Sequence, residues 1–79
     1  MPKIPPLKAK AIVAILLKIG FYKHHQTGSH IQMRHTDKPH LRVTVPRHDK
    51  FELPTFVVGS ILRQAEITKE EFLKILRGK

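Results

Sequence analysis

Three short strand-like runs, the second and third of which alternate apolar and polar residues, constrain the fold of this chain most strongly because only a few residues join them. The runs cover residues 21–26, 30–35 and 41–45, and the connections are Thr27-Gly28-Ser29 and residues 36–40. Strands joined by so few residues run antiparallel, because a parallel pair needs a crossover of a dozen residues or more. The sequence therefore predicts a three-stranded antiparallel meander.

A helical period precedes the first strand. Apolar residues recur there at the i, i+3, i+4, i+7 spacing of one buried face, namely at Ile12, Ile15, Leu16 and Ile19. This spacing predicts a helix over about residues 7–19, with Gly20 as its stop. Pro5 and Pro6 can stand at its first positions, where a missing N–H is harmless, and residues 1–6 form an extended lead-in.

Two further helices are predicted after the strands. The first begins near Thr55, and Gly59 in its middle indicates close approach of another element, since glycine costs roughly 1 kcal/mol there relative to alanine. The second has a capping box over residues 68–71, with Ile67 and Phe72 at the positions of a hydrophobic staple. The residues of the first helix available for burial are Phe56, Ile61, Leu62 and Ala65.

These elements fit a single small α+β domain over residues 1–79, with the helices on one face of the sheet. A chain of 79 residues hides only roughly 60% of the surface that its unfolded form exposes, which leaves no room for a second domain. Apolar residues such as Ile31, Met33 and Val43 alternate inward, so the polar residues between them share the open face. These are His30, Gln32, Arg34, Arg42 and Thr44.

The charge of the whole chain agrees with a basic open face. Lysine and arginine number 15 against 6 aspartates and glutamates, which gives a formal net charge of +9. Such an excess on so short a chain attracts polyanions, and nucleic acid is the first partner to consider. The alternative is that the charge only keeps a small protein soluble.

Other features argue against several classes of site. Cysteine is absent, which excludes disulfides and thiolate metal sites and fits a reducing cytoplasm. The six histidines lack the spacing and the acidic companions of zinc sites, so we expect no metal and no cofactor. The apolar run at residues 11–17 is far shorter than the ~20 residues of a membrane span, and we interpret it as a core helix with no membrane role.

One histidine occupies a position suited to catalysis. His30 follows Gly28 and Ser29 at the start of a strand. An imidazole exchanges protons near neutral pH, so it could take a proton from a ribose 2′-OH or give one to a leaving 5′-oxygen. Neighbouring basic side chains could hold the scissile phosphate, which outlines a metal-free ribonuclease. The alternative is a surface histidine that contacts phosphate or nothing.

Four motifs follow the first helix in an order typical of one family. They are Gly20-Phe21, Gly28-Ser29-His30, Val45-Pro46-Arg47-His48 and Ser60-Ile61-Leu62-Arg63-Gln64-Ala65. With them the chain closely resembles the HicA family of toxin-antitoxin modules, over about residues 7–76.

The resemblance implies a small α-β-β-β-α domain similar to the double-stranded RNA-binding fold. It implies the toxin of a type II toxin-antitoxin system, an endoribonuclease that cleaves mRNA. The catalytic residue implied is His30, and Gly28 and Ser29 match the other motif positions. The implied partner is a HicB antitoxin that binds the toxin and occludes its active site.

Basic residues near the motif are candidate RNA contacts. We expect Lys23, Arg34 and Arg42 to contact phosphates. Ser29 would position the motif, and His48 is a further candidate for the RNA face. The chain departs from the family pattern at Thr27, where lysine is frequent, and at Pro54 and Glu66, where glycine is usual.

Two other functions stay open from the residues alone. One is a non-catalytic RNA-binding module that uses the same basic face. The other is a partner-binding protein whose positive charge serves to meet an acidic protein.

Overall fold

The described residues form three helices and three strands in the predicted order. The computed structural model describes residues 4–47 and 51–78. The elements are α1 (Ala9–Lys18), β1 (Phe21–Thr27), β2 (His30–His35), β3 (Arg42–Pro46), α2 (Thr55–Ala65) and α3 (Lys69–Gly78). The strands pair antiparallel in the order β1-β2-β3. The predicted α+β class is confirmed, with the α-β-β-β-α order of the double-stranded RNA-binding fold followed by a short C-terminal helix.

The helices cover one face of this sheet. α1 packs against β1 and β3, α2 packs against β3, and α3 contacts α1. Along β2 and β3, buried residues alternate with exposed ones, as expected for a sheet with one solvated face. The largest fully buried side chains come from all three helices and from the two strands, and they are Ile12, Leu16, Met33, Val43, Val45, Val58, Ile61 and Phe72.

The first helix begins two residues later than predicted. Leu7 forms an isolated antiparallel bridge with Leu53, and the Leu53 N–H donates to the Leu7 carbonyl at 2.7 Å. Lys8 is extended, with φ −84° and ψ 157°. Pro5 and Pro6 therefore lie outside the helix, and the placement predicted for them at its first positions is wrong. A distant partner, not local propensity, determines where α1 starts.

Gly20 ends the first helix as predicted. Its φ is +104°, a conformation that side chains with a Cβ rarely adopt. A Cβ at this position would lie 2.7 Å from Nε2 of His35. The carbonyl of Gly20 accepts hydrogen bonds from the N–H and the hydroxyl of Thr36, each at 3.0 Å. This glycine therefore lets the chain pass from α1 into β1 beside the far end of β2.

Two expectations for the second helix are wrong. Phe56 is 77% exposed, because the buried stripe of α2 runs through Val58, Ile61, Leu62 and Ala65. Phe56 precedes Val58 by two residues and so lies about 200° away around the helix. Nor does another element approach Gly59, since the nearest atom to a Cβ there would be the guanidinium of Arg63, at 3.8 Å and within the same helix.

The second helix ends in a Schellman motif on a non-glycine residue. Glu66 adopts the left-handed conformation, with φ 58° and ψ 42°. The N–H of Glu66 donates to the Arg63 carbonyl, and the N–H of Ile67 donates to the Leu62 carbonyl. Glu66 therefore performs the role of the glycine that the family pattern usually has here, at the cost of backbone strain.

The predicted capping box of the last helix is confirmed. The Glu71 carboxylate accepts from the Thr68 N–H at 3.0 Å, and the Glu71 N–H donates to the Thr68 hydroxyl at 3.0 Å. Phe72 is buried, and Ile67 packs against the same core. Of the helices in residues 4–47 and 51–78, none is long and apolar enough to span a membrane.

Candidate active site

A two-residue turn delivers His30 to the start of the central strand. Thr27 pairs with His30, so only Gly28 and Ser29 connect β1 to β2. Gly28 has φ +52°, whereas Ser29 has no positive φ, and a glycine at the first of two loop positions is typical of the type II′ hairpin turn. A Cβ on Gly28 would meet nothing within 4 Å. The motif glycine is therefore needed for its backbone conformation and not for space.

The end of the third strand fixes the other side of His30. Pro46 pairs with His30 across β2 and β3, and the N–H of Arg47 donates to the carbonyl of Ser29. Proline has no N–H, so it suits the end of an edge strand. The Val45-Pro46-Arg47 part of the third motif thus holds the hairpin turn, and His30 lies between Thr27 and Pro46 at the end of the sheet.

The imidazole of His30 is exposed and carries no protein hydrogen bond in the part of the chain that the structure describes. Among those residues, neither ring nitrogen is therefore occupied by a protein partner. Within residues 4–47 and 51–78, no carboxylate orients the ring, unlike the histidine of a Ser-His-Asp triad. What the position provides is a proton acceptor or donor at the start of a strand whose open face also carries polar and basic side chains.

The open face is organised in rows that cross the three strands. Beyond the row of His30, Gln32 pairs with His25 and Thr44, and Arg34 pairs with Tyr22 and Arg42. Directly opposed residues share a face, with Cβ atoms roughly 5 Å apart. The predicted grouping of His30, Gln32, Arg34, Arg42 and Thr44 on this face is therefore observed.

The two arginines form a separate part of that face. Arg34 and Arg42 are directly opposed, and like charges in this arrangement repel unless an anion lies between them. Arg34 is four residues along β2 from His30, roughly 13 Å at the rise of a strand. The two arginines are therefore separated from His30 along the same face.

Lys23, the third predicted phosphate contact, lies on the opposite face. It pairs with Met33, which is fully buried on the helix side of the sheet. A signal for this was present in the sequence, because Lys23 is two residues after Phe21, whose side chain faces the core. The structure thus separates Lys23 from the face of His30.

A β-bulge at His24 changes the alternation along the first strand. The pairing shifts between Lys23 and His25, which leaves His24 as the extra residue. The ring of His24 lies 6.4 Å from the ring of Tyr22, edge to face. Because His25 pairs with Gln32, the bulge places two consecutive histidines toward the open side.

His35, at the end of β2, has a structural role. Its Nδ1 accepts from the N–H groups of Asp37 and Lys38 at 3.1 and 3.2 Å, so Nε2 carries the hydrogen and donates to the Ile19 carbonyl at 2.8 Å. Its ring also packs edge to face on Phe21, with centroids 4.9 Å apart. His30 and His35 face opposite sides of the sheet, and the hydrogen bonds of His35 join α1 to the second turn.

Gln64 in the fourth motif binds the backbone of β3 at the edge of the sheet. Its Oε1 accepts from the backbone N–H of Thr44 at 3.0 Å, and its Nε2 donates to the Ser60 hydroxyl at 3.2 Å. The bond occupies a donor on the free edge of β3, which an exposed edge strand would otherwise offer to another chain. Sequence reasoning missed this role, because the partner is 20 residues away.

Two predictions remain, one on His48 and one on metal binding. His48 lies outside the described residues. Within ranges 4–47 and 51–78, no three histidine, aspartate or glutamate side chains lie together closely enough to hold a metal ion.

The fold and the site define a class of protein: a small basic α+β domain that presents a histidine on the open face of its sheet. A family model described as the HicA toxin of bacterial toxin-antitoxin matches residues 9–67. The chain therefore belongs to the HicA toxin family, whose members act within a module that includes a cognate antitoxin. A comparison with curated proteins gives no match.

Proposed function

We propose that this toxin is an endoribonuclease that cleaves mRNA, with His30 as its general acid/base and without a metal. The observation that carries the proposal is the position of His30. It is exposed at the end of the central strand, immediately after the Gly28-Ser29 turn, on a face that also holds Arg34 and Arg42. A small exposed site of this kind suits a long flexible substrate such as single-stranded RNA.

The chemistry follows from the ribose itself. The His30 imidazole accepts the proton of a 2′-OH while the 2′-oxygen forms a bond to the adjacent phosphorus. The bond from phosphorus to the 5′-oxygen breaks, and that oxygen takes up a proton from the imidazolium or from water. The products are a 2′,3′-cyclic phosphate and a 5′-hydroxyl, so the step needs no oxidant, metal or external nucleophile.

The remaining roles belong to the same proposal. Gly28 and Ser29 shape the turn, and Arg34, Arg42 and Lys23 contact RNA phosphates on the two sides of the sheet. His48 is a further RNA contact. The cognate antitoxin is a HicB-like protein that covers the open face, and the toxin acts in the cytoplasm, where mRNA is translated.

The test compares wild-type protein with His30→Ala on one end-labelled transcript. We expect the rate of cleavage to fall by about 10²–10⁴, the usual contribution of a general acid/base, and we expect EDTA to leave the wild-type rate unchanged. His40→Ala is the matched control, because His40 is exposed and lies in the turn at the far end of the sheet. Cleavage by His30→Ala at the wild-type rate would refute the assignment.

The absence of an orienting partner for His30 in the described residues, and the distance of the two arginines from it, favour one second candidate. This is a non-catalytic RNA-binding module that uses the same face. Such a module would retard the labelled transcript in a gel and leave it intact, whereas the nuclease would shorten it.

A further inference from the structure

A basic cleft opens on the helix side of the sheet, behind the strand end that carries His30. It lies between the start of α1 and the strands, and its volume is about 520 Å³. Ala9, Val13 and Ile31 form the apolar part of its lining. The charged part consists of Lys8, Lys10, Lys23 and Arg47.

The three lysines of this cleft have no protein partner within residues 4–47 and 51–78. Lys8, Lys10 and Lys23 are all exposed, and none makes a hydrogen bond or an ion pair through its ammonium group. No described acidic residue lines the cleft. Like charges gathered around one concave surface raise the local positive potential and attract anions. The arrangement therefore suits a ligand that brings negative charge with it.

The cleft adjoins the proposed catalytic residue. Ile31 follows His30 on β2 and faces the opposite side of the sheet, into the cleft. Arg47 also lines the cleft, and it comes directly after Pro46, the pairing partner of His30. Both surfaces thus meet at the end of the sheet formed by the Gly28-Ser29 turn. A strand bound at His30 could pass around this end without leaving positively charged surface.

We propose that this cleft is a second RNA-binding site, which holds the single strand that continues from the cut. Lys8, Lys10 and Lys23 contact its phosphates, and the apolar part formed by Ala9, Val13 and Ile31 receives a base. This combination favours RNA over an acidic peptide, because a nucleotide offers an anionic group and an apolar face together. The inference rests on the proposed function, and it gives Lys23 a role on the face where the structure places it.

The test measures binding in a background that cannot cleave. In His30→Ala protein, Lys8, Lys10 and Lys23 are replaced together by glutamine, and a fluorescent single-stranded RNA is titrated at several salt concentrations. Loss of three phosphate contacts makes the negative slope of log K against log salt shallower by about 2, since each contact on a single strand contributes about 0.7. The ratio of the two proteins' RNA affinities, without and with the three replacements, should therefore be on the order of 100-fold larger at 0.1 M salt than at 1 M salt.

The matched control removes the same number of charges elsewhere. Lys18, Lys38 and Lys69 are exposed and lie outside the cleft, so their triple replacement by glutamine should change the slope by much less. Thermal unfolding of both triple variants checks that each is folded. Equal slopes and affinities for the two variants would overturn the proposal. So would a cleft variant that keeps its RNA affinity and loses only its affinity for the antitoxin.

The proposed function can fail separately. If wild-type protein never cleaves RNA but the cleft variant still loses binding, the nuclease assignment is wrong and the cleft assignment holds. If the wild type cleaves RNA, the same triple replacement by glutamine is made in a chain that keeps His30. It should lower kcat/KM and leave kcat within about threefold, because the three lysines bind the strand away from the reacting atoms.

Discussion

His30 and His35 occur on the same strand and have opposite environments. His30 is exposed, whereas the ring of His35 is bonded through both nitrogens and packs on Phe21. Alternation along β2 predicts the two faces correctly. It could not predict the partners of His35, because Ile19 is 16 residues away and the two donating amides belong to a turn. A residue's face follows from local sequence, but its bonds follow from the tertiary structure.

Gly20 and His35 should be energetically coupled. Gly20→Ala forces a Cβ to within 2.7 Å of the His35 ring and imposes φ +104° on alanine, so we expect a loss of about 3 kcal/mol in the free energy of unfolding. His35→Ala alone should cost about 1–3 kcal/mol through its lost hydrogen bonds. In the double variant the clash is absent, so the total should be about 1 kcal/mol or more below the sum of the two single costs.

Urea unfolding of the four proteins measures this coupling. His40→Ala is a suitable reference, because the His40 side chain is 67% exposed and its ion pair with Glu66, at 4.0 Å, lies on the surface and contributes little. Strict additivity of the two single changes would contradict the contact between Gly20 and His35.

At the level of elements, the strands and helices were predicted better than the connections between them. The helical period, the alternation and the capping box are local patterns, and each of them is observed. The bulge at His24 and the bridge between Leu7 and Leu53 involve partners distant in sequence. The exposure of Phe56 was predictable in principle, since the stripe of α2 excludes it once Val58 is placed in the core.

The end of the second helix offers a test at this scale. Glu66→Gly should raise the free energy of unfolding by about 0.5–1 kcal/mol, because glycine adopts φ 58° without the strain that a Cβ brings. This net gain already includes the opposing effect of the greater conformational freedom of glycine in the unfolded chain. Glu66→Ala keeps the strain and should give no such gain. Thermal or urea unfolding of both variants measures the effect, and equal stability of the two would contradict the role of backbone strain here.

For the whole molecule, the structure places basic residues on two separate surfaces that meet near His30. Arg34 and Arg42 lie on the open face, and Lys8, Lys10 and Lys23 lie in the cleft behind it. The net charge of +9 predicts attraction of a polyanion but not this division, which depends on the start of α1 packing beside β1. His30 stands at the end of the sheet where the two surfaces meet. The central claim is therefore that His30 acts on RNA that both surfaces hold.

The most direct measurement of that claim uses two oligonucleotides of one sequence, one of RNA and one with 2′-O-methyl ribose throughout. The wild-type protein should bind both, cleave only the RNA, and leave 2′,3′-cyclic phosphate and 5′-hydroxyl ends. His30→Ala should bind both and cleave the RNA about 10²–10⁴ times more slowly. Cleavage of the 2′-O-methyl strand, or products with any other ends, would contradict proton transfer between His30 and the ribose hydroxyl.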